Sequence, residues 1–300
     1  MLTAGDLLTL PELRRLRALS AWRGAALVAH AWLVIAAAMV LYAVWPAPLT
    51  LLVAIVIVAG RQLGLVVLMH EAGHWLLFPA QPWNNRVGRW LCAAPIFADL
   101  PRYRRLHHLH HRHTQQPDDP DLNRAPRAPM ARGALASAVL HDLGGLTALG
   151  HVLASRPWRA DASRPWRRLG SPLVANAALL TGLAIAGHAR LYLVLWLLPL
   201  ATVYQLLVRV RDVAEHGLVG DRDDPLRNTR TTRASLLTRA LVAPYWVNHH
   251  LEHHALVFVP CWKLADAHAL LLAKGHGPSM ELAPGYAAVL RRLVTTQTRR

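Results

Sequence analysis

Residues 104–121 read RRLHHLHHRHTQQPDDPD, and the spacing of the histidines in this stretch decides how the rest of the chain is read. His107, His110 and His111 stand at i, i+3 and i+4. On a helix these imidazoles project from one face, because residues three and four apart stack one turn above another. Neutral imidazole is the commonest metal ligand of proteins and suits zinc, copper, iron and nickel. The same spacing recurs downstream at His250, His253 and His254 in HLEHH, and a pair, His70 and His74, stands upstream in HEAGH. The PDDPD segment is a turn-former. Its acids are read as capping a helix, the alternative being that one of them holds a nearby imidazole.

Composition sets the surroundings of these clusters. The 300 residues are 54% hydrophobic and yet carry a formal charge of +16, nearly all of it from arginine. Soluble proteins seldom combine the two, whereas membrane proteins with basic cytoplasmic loops do. No Lys/Arg-rich arm is interleaved with aromatic residues, which sets nucleic acid aside as a partner. Cys92 and Cys261 are the only cysteines. Two thiols neither ligate an iron–sulfur cluster nor build a disulfide framework, so any redox chemistry rests on histidine.

Taken in order, residues 1–23 carry no signal-peptide pattern. They contain a capping box, Thr9 to Glu12, that opens a short interfacial helix with Leu10, Leu13 and Leu16 on one side and Arg14, Arg15 and Arg17 toward anionic lipid. Residues 24–78 form a first transmembrane hairpin: a span over 24–45, a turn at Pro46 and Pro48, and a second span from about Leu51 to HEAGH. Arg61 lies inside that second span, where a charge must face the bundle, a polar cavity or a substrate head. Residues 79–170 are a cytoplasmic segment holding HHLHH. Within it, 134–155 is an interfacial or re-entrant helix, since His141, Asp142 and the Gly144–Gly145 pair do not suit hydrocarbon. Residues 171–216 form a second hairpin, with spans over 172–187 and 192–208, ending in DVAEH with Asp212 and His216 one turn apart. Residues 217–300 are a cytoplasmic C-terminal region with HHLEHH and a basic helical tail.

The links at 46–49 and 188–190 hold one arginine between them, whereas the N-terminus, the central segment and the C-terminal region hold almost all the rest. The positive-inside rule then places those three on the cytoplasmic side, together with every histidine cluster. The expected architecture is an all-α integral membrane protein. Four transmembrane helices stand in two hairpins under a cytoplasmic helical cap, and the cap holds a histidine-rich dimetal site. Both termini and the site face the cytoplasm.

His70, His74, His107, His110, His111, His216, His250, His253 and His254 overfill one metal and comfortably fill two. Of the Glu-x-x-His pairs that build di-iron carboxylate bundles, only Glu71 with His74 is present. HEAGH by itself matches the H-E-x-x-H signature of zinc peptidases, with Glu71 as base. An intramembrane zinc metallopeptidase is therefore an alternative, although it leaves the other two clusters without a purpose. His108, His113 and His249 adjoin the clusters outside their register and are read as supporting or surface residues.

Together, HEAGH, HHLHH and HHLEHH resemble the three histidine boxes of the membrane fatty acid desaturase superfamily, which includes hydroxylases and ketolases. The resemblance covers about residues 51–260, and RVRDVAEHG, NTRTT and NHHLEHH are especially similar to bacterial acyl desaturase-like members. It implies two iron ions held by the boxes, with His216 as an additional ligand. It places Asp212 where stearoyl-type relatives carry asparagine. The implied activity is dioxygen-dependent desaturation of an acyl lipid or similar long hydrophobic chain, with hydroxylation or ketolation as the alternative. Glu71, Asp212, Glu215 and Glu252 are candidates to steady the metal ligands. The chain has no nucleotide-binding glycine fingerprint and no haem-domain motif. A separate ferredoxin-like or haem protein is therefore expected to deliver electrons, steered by Arg102, Arg104, Arg105 and Arg112. The expected location is a bacterial inner membrane.

Overall fold

End signals and apolar composition set the long elements. Ser20 accepts from the Arg23 amide at 3.4 Å and opens the helix Ala21–Val44. Trp45 leaves helical geometry ahead of Pro46. Pro48, in the first turn where a missing N–H leaves no bond unmade, opens Pro48–Gly73. At about 1.5 Å per residue both helices exceed the ~30 Å of a hydrocarbon core. The computed structural model describes residues 3–126, 128–155 and 166–295. Within them, three helices are long and apolar enough to cross a membrane: Ala21–Val44, Pro48–Gly73 and Arg190–His216. The basic tail expected at 296–300 lies outside the described residues.

Pro48–Gly73 is the central element, 61% buried along its apolar window against 28% for each of the other two. One neighbour approaches it closely at a glycine: a Cβ on Gly60 would meet Leu241 Cα at 3.1 Å. Arg61 points into the bundle, donates to the Ala240 carbonyl and lies 5.5 Å over the Tyr245 ring. Both contacts keep its charge out of hydrocarbon. Arg190–His216 is irregular, with a π-helical turn at Leu193–Leu197 and a break at Thr202 just past Pro199.

The expected span over 172–187 is as short in the structure as in the sequence, and it is not among those three. Trp166–Ile185 is helical, and its apolar part, Gly170–Ile185, covers only ~24 Å. Polar contacts fix its position. Asn176 donates to the Ala94 carbonyl at 3.1 Å, and its own carbonyl oxygen accepts from the Tyr192 hydroxyl at 3.0 Å and the Trp196 indole at 3.2 Å.

Two readings are corrected. The expected helix over 134–155 is a pair, Arg132–Leu143 and Leu146–Ser155, broken where Gly145 takes a left-handed φ of 77°. The charge at its centre, read as unsuited to hydrocarbon, is paired: buried Asp142 accepts from Arg209 Nη2 at 2.8 Å and from the Thr147 hydroxyl at 2.6 Å. In Leu10–Arg17 the Glu12 carboxylate accepts from the Thr9 amide at 2.7 Å, as a capping box requires. Leu13 and Leu16 are buried, but Leu10 is 69% exposed, because an i+3 series drifts ~60° per step around a helix.

Beyond the long helices the chain is stitched by two-residue parallel pairings, Met130–Ala131 with Val294–Thr295 and Thr231–Thr232 with Leu282–Ala283. These hold the C-terminal region, including His250–Ala255 and Leu264–Ala273, against the ends of Pro48–Gly73 and Arg190–His216.

Candidate metal centre

Four helix ends bring the imidazoles together. Leu100–His113 carries the central stretch as one helix, Pro48–Gly73 ends at His70 to His74, Arg190–His216 ends at His216, and the short His250–Ala255 carries HLEHH. The chain turns sharply after three of them, through left-handed residues at Trp75 (φ 63°), Gln115 (φ 65°) and Leu218 (φ 52°). Such backbone persists only where its surroundings over-determine it.

Two arginines hold helix ends in place. Arg104 donates to the carbonyls of Ala72 and Gly73 at 2.9 and 3.0 Å and covers the Trp75 ring at 3.6 Å. Arg230, fully buried, donates to the carbonyls of Gly217 and Leu218 at 2.8 Å and of Ala214 at 3.2 Å. Each satisfies carbonyls that the last turn leaves open and places a cation at the negative end of the helix dipole. Arg104, expected on a docking surface, is half-buried and committed to these carbonyls, while Arg102, Arg105 and Arg112 are exposed.

All nine histidines singled out from the sequence fall into two groups. His70, His74, His107, His111 and His253 form one, and His110, His216, His250 and His254 the other, with the donor atoms of each group within 4.8 Å of one another. The groups share a wall: the rings of His111 and His254 stack at 4.1 Å. Within the first, Nε2 of His253 stands 2.8 Å from that of His70 and 3.0 Å from that of His111, which is 3.0 Å from that of His107. Within the second, Nε2 of His216 and His250 are 2.8 Å apart. Two nitrogens bound at right angles to one first-row ion, about 2.1 Å from it, would stand ~3.0 Å apart. Nε2 of His74 and of His254 are buried and have no hydrogen-bond partner among the described residues, as ligand atoms without their ion would be. Burial, reinforced by neighbouring imidazoles, holds His107, His111, His250, His253 and His254 well below the usual histidine range. Burial also pushes His74 down to about 3. These rings are neutral at physiological pH, the form that ligates metal. The donor set fits two first-row ions.

Oxygens on the far side orient several rings. Asp119 Oδ1 stands 2.8 Å from His110 Nδ1, so the acid of PDDPD does hold an imidazole, a correction to its reading as a cap. Its other oxygen accepts from the Gln115 amide at 2.9 Å. The Thr114 hydroxyl lies 3.2 Å from His254 Nδ1, Glu71 Oε1 3.3 Å from His70 Nδ1, and Glu215 Oε2 3.5 Å from His250 Nδ1. The two other proposed supports act elsewhere. Glu252 bonds Thr231 and His268 rather than any of the nine. Asp212 sits among the charges of Arg124 and Arg211. His108 is exposed beside His74 and His113 is half-buried, whereas His249 is buried in a separate group with Glu252 and His268. The buried Glu71 is committed at both oxygens, since Oε2 accepts from the Cys261 amide at 2.8 Å. A peptidase base needs that carboxylate free.

Arg230 and Thr114 were missed in the sequence. Thr114 was within reach, one turn past His110 on the same helix face, but a lone arginine in NTRTT carries no local signal.

The fatty acid desaturase family matches residues 45–281. Over 260 residues the chain is 28% identical to the dihydrorhizobitoxine desaturase of Bradyrhizobium elkanii, a match covering 79% of this chain and 69% of that protein. The family match begins ahead of HEAGH and ends beyond HLEHH, and so takes in every histidine of both groups. On that match, the chain belongs to the fatty acid desaturase family.

Proposed function

We propose that the protein is a membrane oxidoreductase that uses dioxygen to introduce a double bond into an acyl lipid or similar long apolar chain at a pair of iron ions. The observation that carries this reading is the pair of all-imidazole groups at the ends of apolar helices in a desaturase-family chain. Iron bound there would supply dioxygen activation and removal of hydrogen from an unactivated C–H bond. The nine histidines would hold the ions, and Asp119, Thr114, Glu71 and Glu215 would fix the rings. Arg104 and Arg230 keep the helix ends from fraying. A cavity of about 590 Å³, lined by Leu27, Val34, Ile57 and Trp246 with His30, Arg61 and Arg239 among them, would give an apolar chain with a polar head a place beside the bundle. The relative is a desaturase by name, which favours double-bond formation over hydroxylation.

Loss of two vicinal hydrogens supplies two electrons, and reduction of dioxygen to two waters takes four electrons and four protons. Two electrons and two protons must therefore come from elsewhere, and we assign the electrons to a separate protein donor. We also propose four spans, Gly170–Ile185 among them with a tilt or partial depth, and both termini in the cytoplasm.

Metal analysis and lipid profiling of a host expressing the chain test the reading. At least two irons per chain and a new unsaturated lipid are expected. One zinc with no lipid change would overturn it, and an alcohol product would move the reaction to hydroxylation. Cysteines placed near residues 47 and 189 should label from outside and ones near 115 and 245 should not. External labelling at 245 alone would break the four-span arrangement.

A further inference from the structure

One set of donors stands apart from both imidazole groups. His249 precedes the HLEHH helix, Glu252 lies one turn in, and His268 comes from Leu264–Ala273. One donor atom from each lies within 4.8 Å of the other two. On so short a helix, His249 and Glu252 at i and i+3 share a face that His250, His253 and His254 leave free. Glu252 is fully buried, with Oε1 2.6 Å from His268 Nδ1, Oε2 3.9 Å from His249 Nδ1, and Thr231 donating to Oε2.

His249 is the independent observation. It is 7% exposed, and neither ring nitrogen has a hydrogen-bond partner among the described residues. Buried polar groups are almost always paired, so an imidazole with both nitrogens open marks the place of a missing ligand. His249 and His268 also line a cavity of about 550 Å³ that gives an ion its access route. Two imidazoles and one carboxylate, with open positions facing a cavity, are the donor set of mononuclear zinc and non-haem iron sites. Thr231 supplies the outer hydrogen bond that steadies the carboxylate. Arg233 and Arg239 stand on the same cavity wall and suit an anionic ligand, hydroxide or carboxylate, at an open position.

We propose that His249, Glu252 and His268 bind a third divalent first-row transition ion, distinct from the two in the imidazole groups. This ion clamps the HLEHH helix to Leu264–Ala273 and to the Thr231–Thr232 strand. It has a structural role, and its existence does not depend on the reaction proposed above.

The test is the metal content of full-length protein purified in detergent, equilibrated anaerobically with ferrous ion or, in a parallel arm, with zinc, and then desalted. About three ions per chain are expected for the wild type, and one fewer for His268→Gln and for His249→Gln. His268 is partly buried and glutamine keeps an N–H for the Glu252 carboxylate, so its substitution is the milder of the two. Zinc added beyond two equivalents should raise the thermal midpoint of the wild type and leave that of His268→Gln unchanged. A wild type and a His268→Gln chain that take up equal numbers of ions overturn the third site, whatever that number is. Fewer than two ions in both would overturn the dimetal reading as well.

Discussion

The two histidine groups share a wall but reach their geometry by different means. The group of five, His70, His74, His107, His111 and His253, draws four members from two helices that Arg104 ties together. Among the described residues it has one ring–carboxylate contact, Glu71 on His70. The group of four, His110, His216, His250 and His254, is assembled from three separate helix ends. Three of its rings face oxygens of Asp119, Glu215 and Thr114. Where scaffold helices already set the donors, outer partners are few; where they do not, two hydrogen bonds and a nearby carboxylate share the orienting.

The largest effects should come from the ligands. Any histidine of either group changed to alanine should abolish turnover, but iron content should separate the groups. His254→Ala leaves three donors and should lose one of about two irons, whereas His74→Ala leaves four and should retain most of both. Equal losses would break the comparison. Next come the outer partners. Asp119→Asn should weaken iron binding to the group of four by about 10–100-fold, and Glu71→Gln should weaken the group of five less. Titration of the metal-free protein with ferrous ion resolves the two, and the reverse ranking would count against the argument. The helix-end cations should matter to stability. Arg230→Met leaves buried carbonyls open and should cost about 1–3 kcal/mol, measured by denaturant unfolding in detergent, with Arg104→Met at the low end because that side chain is half-exposed. The smallest effect is expected at the surface. Replacing Arg102, Arg105 and Arg112 with glutamine should leave the metal content of both groups unchanged and raise the KM for an acidic electron donor by about 2–10-fold at low salt. A donor response insensitive to salt would remove the steering role from these residues.

Histidine spacing made the donors legible because i, i+3, i+4 is a local rule that a helix enforces whatever surrounds it. Uncharged runs exposed the long helices in the same way. Which histidine joins which group was not legible. His110 and His111 are neighbours in sequence yet enter different groups, since one step on a helix turns a side chain ~100°. Asp119 reaches His110 across a turn with no periodicity. Arg104 and Arg230 read as surface charge until the helix ends they close are in place. The break at Gly144–Gly145 was visible as a glycine pair, but the salt bridge of Asp142 with Arg209 that makes it tolerable spans 67 residues.

His70 and His253 touch across 183 residues of chain, and this separation bears on how the protein is made. A nascent chain released as far as residue 113 already carries four of the five donors of one group, on two helices of a single early hairpin and its extension. At that length it carries only His110 of the other group. The second group cannot close until the last third of the chain has been synthesised and folded back. Biosynthesis therefore offers the first group to metal long before the second, and a chain truncated ahead of residue 250 would present an incomplete pair to the cell's quality control.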